Sequence, residues 1–458
     1  MSRTSVEAIL AGRGLLLAGI LGPELFGVWT LFRIGLHYLA FVGLGLLRGL
    51  ELKVSRSSDT AKQIRWGKAA AGHTFLLYGV LSALAAIAWS GSSERVVNVA
   101  LLGIAVGLLL DRLWSYGITY LRASGGLMRF AVLELAHATL QIIMCLVLAL
   151  YWGLPGAFAG FAIANLAGIA MFAGRAPLKP IFEPRRVFQL IRIGFPVSLM
   201  GILSATLVTV DRLLVGAIVG LGALGLYAFA VSISELGVSF AAVIRTVILR
   251  DVYGKRESPH NANASRVVLE QVLSGYATLG PPLVGVFALI LPPLIALFAS
   301  DYHSAAPIAQ VLLFAGLLQG FINVTVLGIV AEGRQGRLPL ISIAAVCVNV
   351  ALTITVLSIG LGLQGVAAAS LLTRLMHAGA IVILLERYSS VSGLIIAITR
   401  FLAPSIWCAV AVFTISHLLP GEDTRTLMLQ LLFYAVALVL LSPAILQALA
   451  PHPTCNDS

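Results

Sequence analysis

The sequence predicts an all-α polytopic membrane protein of about fourteen transmembrane helices, and three observations carry the prediction. Of 458 residues, 59% are hydrophobic and 11% charged, with a mean hydropathy of +1.00. A soluble domain has roughly 45–50% and about 25%. Polar breaks divide the chain into fourteen apolar runs, most of them near the ~20 residues that a bilayer requires. The cations of a chain with a formal charge of +11 gather in every second connection.

The runs, spans 1 to 14, fall at 4–21, 25–46, 69–89, 98–120, 130–151, 156–173, 194–218, 223–244, 268–297, 306–330, 338–359, 365–385, 400–417 and 427–449. Span 1 follows Arg3, and Gly22-Pro23 turns it into span 2. Arg48, Lys53, Arg56, Lys62, Arg65 and Lys68 separate spans 2 and 3, and Arg122 with Arg129 separates spans 4 and 5. Arg175, Lys179, Arg185, Arg186 and Arg192 lie between spans 6 and 7. Arg245, Arg250, Lys255, Arg256 and Arg266 lie between 8 and 9, Arg334 and Arg337 between 10 and 11, and Arg387 and Arg400 between 12 and 13. The alternate connections hold only Arg95 and Arg425. The bias of 23 cations against 2 places the basic connections and both termini in the cytoplasm by the positive-inside rule. Span 9 carries Pro281-Pro282 and Pro292-Pro293, which remove backbone donors and predict a kink.

These features exclude several function classes. The cation excess is topological and suits contact with anionic membrane lipid rather than nucleic acid. Cys145, Cys347, Cys408 and Cys455 are scattered, so neither a disulfide framework nor a metal site is expected. No GxxxxGK[ST] pattern occurs, so nucleotide hydrolysis is not expected. The start has no small-residue cleavage site, which predicts that span 1 stays in the membrane. Outer connections of about ten residues or fewer leave no room for an extracellular catalytic domain. No covalent chemistry and no cofactor are expected.

Two internal matches predict a repeat. Leu21-Gly22-Pro23-Glu24-Leu25-Phe26-Gly27-Val28-Trp29 matches Val219-Gly220-Leu221-Gly222-Ala223-Leu224-Gly225-Leu226-Tyr227 at an offset of 198. Gly153-Leu154-Pro155-Gly156-Ala157-Phe158-Ala159 matches Gly362-Leu363-Gln364-Gly365-Val366-Ala367-Ala368 at an offset of 209. Both pairs lie on one side, in the same order. This predicts two parallel six-helix lobes related by a pseudo-twofold axis along the membrane normal. The expected divisions are an N-lobe over 1–175, a basic cytoplasmic linker over 176–193 and a C-lobe over 194–388. Spans 13 and 14 fill 395–450, and a cytoplasmic tail covers 451–458.

The stretch Gly194-Phe195-Pro196, Asp211-Arg212-Leu213-Leu214-Val215-Gly216, Gly220 and Gly225-Leu226-Tyr227-Ala228 resembles the seventh and eighth helices of the polysaccharide transporter family. That family holds the Wzx-type flippases of lipid-linked oligosaccharides, within the superfamily of the MATE drug exporters and the lipid II flippase. The turn Leu21 to Gly27 resembles the family's first outer turn. Pro292-Pro293-Leu294-Ile295-Ala296-Leu297-Phe298, with Tyr302 and Ala305-Ala306-Pro307, is similar to the segment between its ninth and tenth helices. The resemblance implies a MATE-like fold in a bacterial cytoplasmic membrane. It also implies alternating-access export of an undecaprenyl-diphosphate-linked oligosaccharide for O-antigen or exopolysaccharide. Glycosyltransferases would supply the substrate and a polymerase or ligase would receive it.

Such a substrate needs cations near the bilayer midplane, where an arginine costs about 2.5–3.5 kcal/mol. Counted at 1.5 Å per residue from the outer ends, Arg13 and Arg33 lie roughly 12 Å deep and Arg374 roughly 14 Å deep. His37 shares the helix face of Arg33 at i+4, and His377 that of Arg374 at i+3. Neither arginine has an acid at i±3 or i±4. These five residues are the expected cationic cavity, since guanidinium suits bidentate phosphate contact; the alternative is that each arginine fixes helix packing through a carboxylate. Asp211 occupies the place of Arg13 in the second repeat, so an Arg13–Asp211 pair is an expected gate, with Arg212 beside it. The alternative is that Asp211 packs and Arg212 snorkels. Arg112 and Glu134 flank one inner hairpin and are expected to form a structural pair. Glu235 has no basic residue within a turn and is the candidate for proton or sodium coupling. Asn165 answers to Arg374 through the second repeat offset. Two other functions fit an all-helical membrane chain. An ion-coupled multidrug exporter of the MATE type would have a carboxylate-led cavity, and a membrane enzyme of polysaccharide assembly would have an outer domain.

Overall fold

The computed structural model describes residues 2–91, 95–235, 262–331, 334–385, 391–421 and 423–449. They are helical, apart from connections and one isolated bridge between Ala173 and Ala176. In order they form α1 (Ser2–Leu39), α2 (Leu46–Ser55), α3 (Thr60–Gly91), α4 (Arg95–Ala123), α5 (Leu127–Phe172) and α6 (Pro184–Ile218). There follow α7 (Leu221–Glu235), α8 (Ala262–Phe298), α9 (Ala306–Ala331), α10 (Leu338–Ser358), α11 (Gly362–Leu385), α12 (Val391–Leu418) and α13 (Thr424–Leu449).

Ten helical stretches among the described residues are long and apolar enough to cross a bilayer, accompanied by the shorter apolar helices Leu221–Glu235 and Thr424–Leu440. Two of the ten are hairpins. Gly22, inside α1, is non-helical at φ 72 and ψ 169. The Arg13 guanidinium lies 5.7 Å from the Trp29 ring, whereas a straight helix would hold the two about 24 Å apart. In α5 the break is Gly153, at φ 59 and ψ −137. Beyond it the Cys145 thiol donates to the Ala157 carbonyl at 3.6 Å. Spans 1 and 2, and spans 5 and 6, are therefore distinct helices joined by one-glycine turns.

The aligned turns share their backbone conformation. Gly22 and Gly220 both have positive φ (72 and 117), as do Gly153 and Gly362 (59 and 61). Only glycine adopts such angles without strain. The first pair of turns also crosses reciprocally. A Cβ on Gly27 would meet the carbonyl of Leu221, and a Cβ on Gly225 would meet the carbonyl of Pro23. Pro23 and Leu221, like Gly27 and Gly225, are equivalent at the offset of 198. Residue i touching j while j's counterpart touches i's is the signature of a local twofold axis.

Span 2 differs from its expected course. The helix stops at Leu39, passes through a 3₁₀ turn over Ala40–Gly43, and restarts as α2 after Leu44 (φ 48) and Gly45 (φ 81). Close packing explains the break. A Cβ on Gly45 would lie 2.5 Å from Gly194, and one on Gly49 2.6 Å from the Leu190 carbonyl carbon. The backbone of α2 thus rests directly on that of α6.

The described chain packs as two compact units, Met1–Ala228 and Phe229–Ser458. In the first, Leu46, Leu50 and Val54 of α2 pack with Trp114, Tyr116 and Tyr120 of α4, Phe172 of α5 and Leu190 of α6. In the second, α9 is the buried helix: Leu312, Phe314, Leu317, Leu318, Phe321 and Ile322 are all covered. It packs on α8 and α11. Leu150, Tyr151, Trp152, Leu432 and Leu440 are exposed, as expected where lipid rather than water is the solvent. The chain is a multi-pass membrane protein. α8 keeps its helical path through Pro281, Pro282, Pro292 and Pro293.

Candidate functional site

The first unit gathers cations around the α1 hairpin. Arg13, on the first arm, is 3% exposed, and its Nη1 donates to Oε1 of the buried Gln141 on α5. Its guanidinium covers the Trp29 ring, while its Nε is buried with no hydrogen-bond partner. Arg33, on the second arm, is half-buried, with its guanidinium carbon 5.8 Å from the Phe161 ring. Arg33 and Asp111 are close enough to act on the charge of Arg13.

An aromatic cluster supports both arginines. Trp29 stacks on Phe158 at 5.8 Å, and Phe32 meets Phe158 and Phe161 edge-on at 4.8 and 5.5 Å. Helical spacing produces it: Trp29, Phe32 and Arg33 share a face at i, i+3 and i+4, as Phe158 and Phe161 do at i and i+3. On α4, Gly107 makes room, since a Cβ there would lie 3.2 Å from the rings of both Phe161 and Phe32. The ring faces are negative, so they offset part of the desolvation of the guanidinium groups.

His37 is exposed, with its ring edge-on to Phe41 at 5.4 Å. Arg33, Arg112, Arg212 and Asp111 are the charged groups near it. Arg212 comes from α6, where its Nη2 donates to the Val208 carbonyl at 2.8 Å and its Nε is buried without a partner. Tyr38 ties that stretch of α6 to α1 through a 2.7 Å hydrogen bond with Thr209.

Two expected pairings are replaced. Arg13 pairs with Gln141 instead of Asp211. The Asp211 carboxylate is buried and accepts from the Tyr227 hydroxyl at 2.8 Å and from the backbone N–H of Arg212 at 2.8 Å. Arg112 does not reach across the hairpin to Glu134, because its Nε donates to the adjacent Asp111 at 2.9 Å. A long guanidinium arm can fold back to its sequence neighbour, and that contact requires no second helix. Glu134 is half-buried on α5, one turn from His137, whose ring stacks on Trp114 at 3.9 Å.

In the second unit Arg374 and His377 share one face of α11 and are both buried. Both ring nitrogens of His377 are enclosed without a hydrogen-bond partner among the described residues. Glu235 is exposed at the end of the described part of α7. Asn165 is buried on α5, and its amide donates to the Phe161 carbonyl at 2.8 Å. No cluster of metal-ligating side chains occurs among the described residues. Sequence reasoning missed Gln141 and the aromatic cluster. The helical spacing of the rings was a usable signal for the cluster, whereas nothing local marks Gln141.

The family described as polysaccharide biosynthesis protein matches residues 16–301. The succinoglycan biosynthesis transport protein ExoT of Rhizobium meliloti (strain 1021) is 22% identical over 304 residues, covering 65% of this chain and 60% of that relative's length. The solved structure of the lipid II flippase MurJ in an inward closed conformation is similar with a TM-score of 0.75, at 16% identity over 98% of both chains. An inward-facing multidrug resistance MATE family transporter of the MOP superfamily is similar at 0.62, with 18% identity over 89% of this chain and 96% of that one. Both likenesses show a shared fold.

Proposed function

Because the chain belongs to the polysaccharide biosynthesis protein family, we propose that it moves an undecaprenyl-diphosphate-linked oligosaccharide from the cytoplasmic to the outer leaflet by alternating access. The observation that carries this reading is the gathering of Arg13, Arg33, Arg112 and Arg212 within one unit, with Asp111 as the nearby counter-charge. An arginine at the centre of a span costs about 2.5–3.5 kcal/mol, and Asp111, paired with Arg112, offsets one of the four charges, so the group keeps a positive excess suited to an anion. A diphosphate has the charge and the acceptor oxygens to match it. Arg374 with His377 is, in this reading, a separate candidate phosphate-binding pair within the second unit.

The names of the relatives support the substrate class: one is a succinoglycan biosynthesis transport protein, another a lipid II flippase. The cation bias supports a cytoplasmic location for both termini, and the bacterial source of the relative ExoT supports a bacterial inner membrane. Asp211, held by Tyr227, and Arg212 serve as the gate in this reading, and Glu235 as the proton or sodium coupling site. The reaction is transfer between leaflets without covalent change. Glycosyltransferases on the inside and a polymerase or ligase on the outside are the partners this role requires. A drug exporter is disfavoured because the cluster would repel cationic drugs.

The test is deletion of the gene in its host followed by lipid extraction. The reading predicts diphosphate-linked repeat units trapped on the cytoplasmic side, cleared by wild type and not by Arg33→Ala or Arg374→Ala. Normal lipid intermediates, with new sensitivity to cationic drugs, would overturn it in favour of drug export.

A further inference from the structure

Where α1 breaks before α2, the first unit forms a half-open cavity of about 240 Å³. Irregular backbone inside a membrane protein is tolerated where it lines a cavity, and Ala40, Phe41, Gly43 and Gly45 form this wall. Arg48, Arg112 and Arg122 also line it, with Glu51 as the lining carboxylate. Glu51 is shared, at 3.2 Å from Arg48 and 2.9 Å from Arg122. Counting Asp111 beside Arg112 as well, the wall keeps a net positive charge.

Two further features point to an anion. Thr74, 1% exposed, lines the cavity, and its hydroxyl has no hydrogen-bond partner; the buried Nε of Arg122 has none either. Helix α2, ten residues long, begins at Gly45 with no side-chain cap, and its first residues Leu46 and Leu47 also line the cavity. Its free N–H groups and the positive end of its dipole favour an anion there. The cavity has room for a phosphate or diphosphate group.

We propose that this cavity binds a phosphate or diphosphate group, through the α2 N-terminus, the Thr74 hydroxyl, Arg48 and Arg122. It shares Arg112 with the Arg13–Arg33 cluster, while Arg13 and Arg33 themselves do not line it. The site itself stands on its geometry, and only the naming of a lipid carrier as the phosphate source rests on the transport reading.

The full chain in nanodiscs of phosphatidylcholine, carrying Arg33→Gln to weaken the neighbouring cluster, would be titrated with inorganic diphosphate by calorimetry. Saturable binding is expected, weakened at least tenfold by Arg48→Gln and several-fold by Thr74→Val. The second substitution is nearly isosteric and leaves the fold intact. Competition by phosphatidylglycerol in the disc would assign the phosphate to bulk lipid headgroups, and competition by undecaprenyl diphosphate alone to the carrier. Either result supports the site, even if leaflet transfer were absent and the transport reading failed. Loss of all binding in Arg33→Gln, or binding indifferent to Thr74→Val and Arg48→Gln, would overturn the inference and leave the transport reading standing.

Discussion

The reciprocal crossing at Gly27 and Gly225 makes a quantitative prediction. A Cβ on Gly27 would lie 2.9 Å from the carbonyl carbon of Leu221, and one on Gly225 2.6 Å from that of Pro23. Ordinary contact begins near 3.4 Å, so the crossing must open by at least about 0.5 and 0.8 Å respectively, and by more where the carbonyl oxygens are concerned. The obstructing atoms are backbone, which cannot rotate aside. Overpacking of this kind costs about 1–3 kcal/mol. Thermal unfolding of the purified full chain in nanodiscs should show each of Gly27→Ala and Gly225→Ala destabilising by that amount. Because one separation of the helices relieves both clashes, the double variant should cost little more than the worse single one. Costs below about 0.5 kcal/mol, or two costs that simply add, would show that the turns do not cross as described.

The other predictions concern single groups. Gln141→Leu leaves the buried Arg13 guanidinium without its acceptor and should cost about 1.5–3 kcal/mol, the value of a hydrogen bond to a charged group; Gln141→Glu, read by the same unfolding measurement, should recover most of the loss. Asp59 caps α3, and hydrogen bonds from the backbone N–H groups of Lys62 and Ala61 hold its carboxyl below the ordinary value of 3.8. Its contribution is therefore complete above that value and lost as pH falls through the lower folded pKa. Asp59→Ser, which keeps a cap, should remove that acid-side loss while leaving stability at neutral pH nearly unchanged, as acid titration of unfolding would show.

Much of the fold was legible because lipid imposes a single rule on every span. Apolar runs and basic connections located the helices, and the offset of 198 found turns whose glycines prove to share positive φ and a reciprocal contact. The break at Ala40–Gly45 was not legible. Phe41-Val42-Gly43-Leu44-Gly45 is as apolar as its surroundings, and what stops the helix is Gly194 and Leu190, about 150 residues away. Within the site, depth counting singled out Arg13 and Arg33, and the structure sets one on each arm of the α1 hairpin. The partner of Arg13 lies 128 residues on, beyond any local pattern. Arg112 folds back to Asp111, a contact within one helix that competes with pairing across the hairpin and that spacing alone does not rank.

The central claim is that arginines of the α1 hairpin hold the diphosphate of a lipid-linked oligosaccharide while it crosses the bilayer. Its most direct test is reconstitution of the full chain in liposomes with a fluorescent undecaprenyl-diphosphate oligosaccharide, with transfer between leaflets read by an impermeant quencher. The account predicts protein-dependent transfer that falls at least tenfold in Arg33→Ala and is inhibited by free undecaprenyl diphosphate. Transfer equal in wild type and Arg33→Ala, or equal for a carrier lacking the diphosphate, would contradict it.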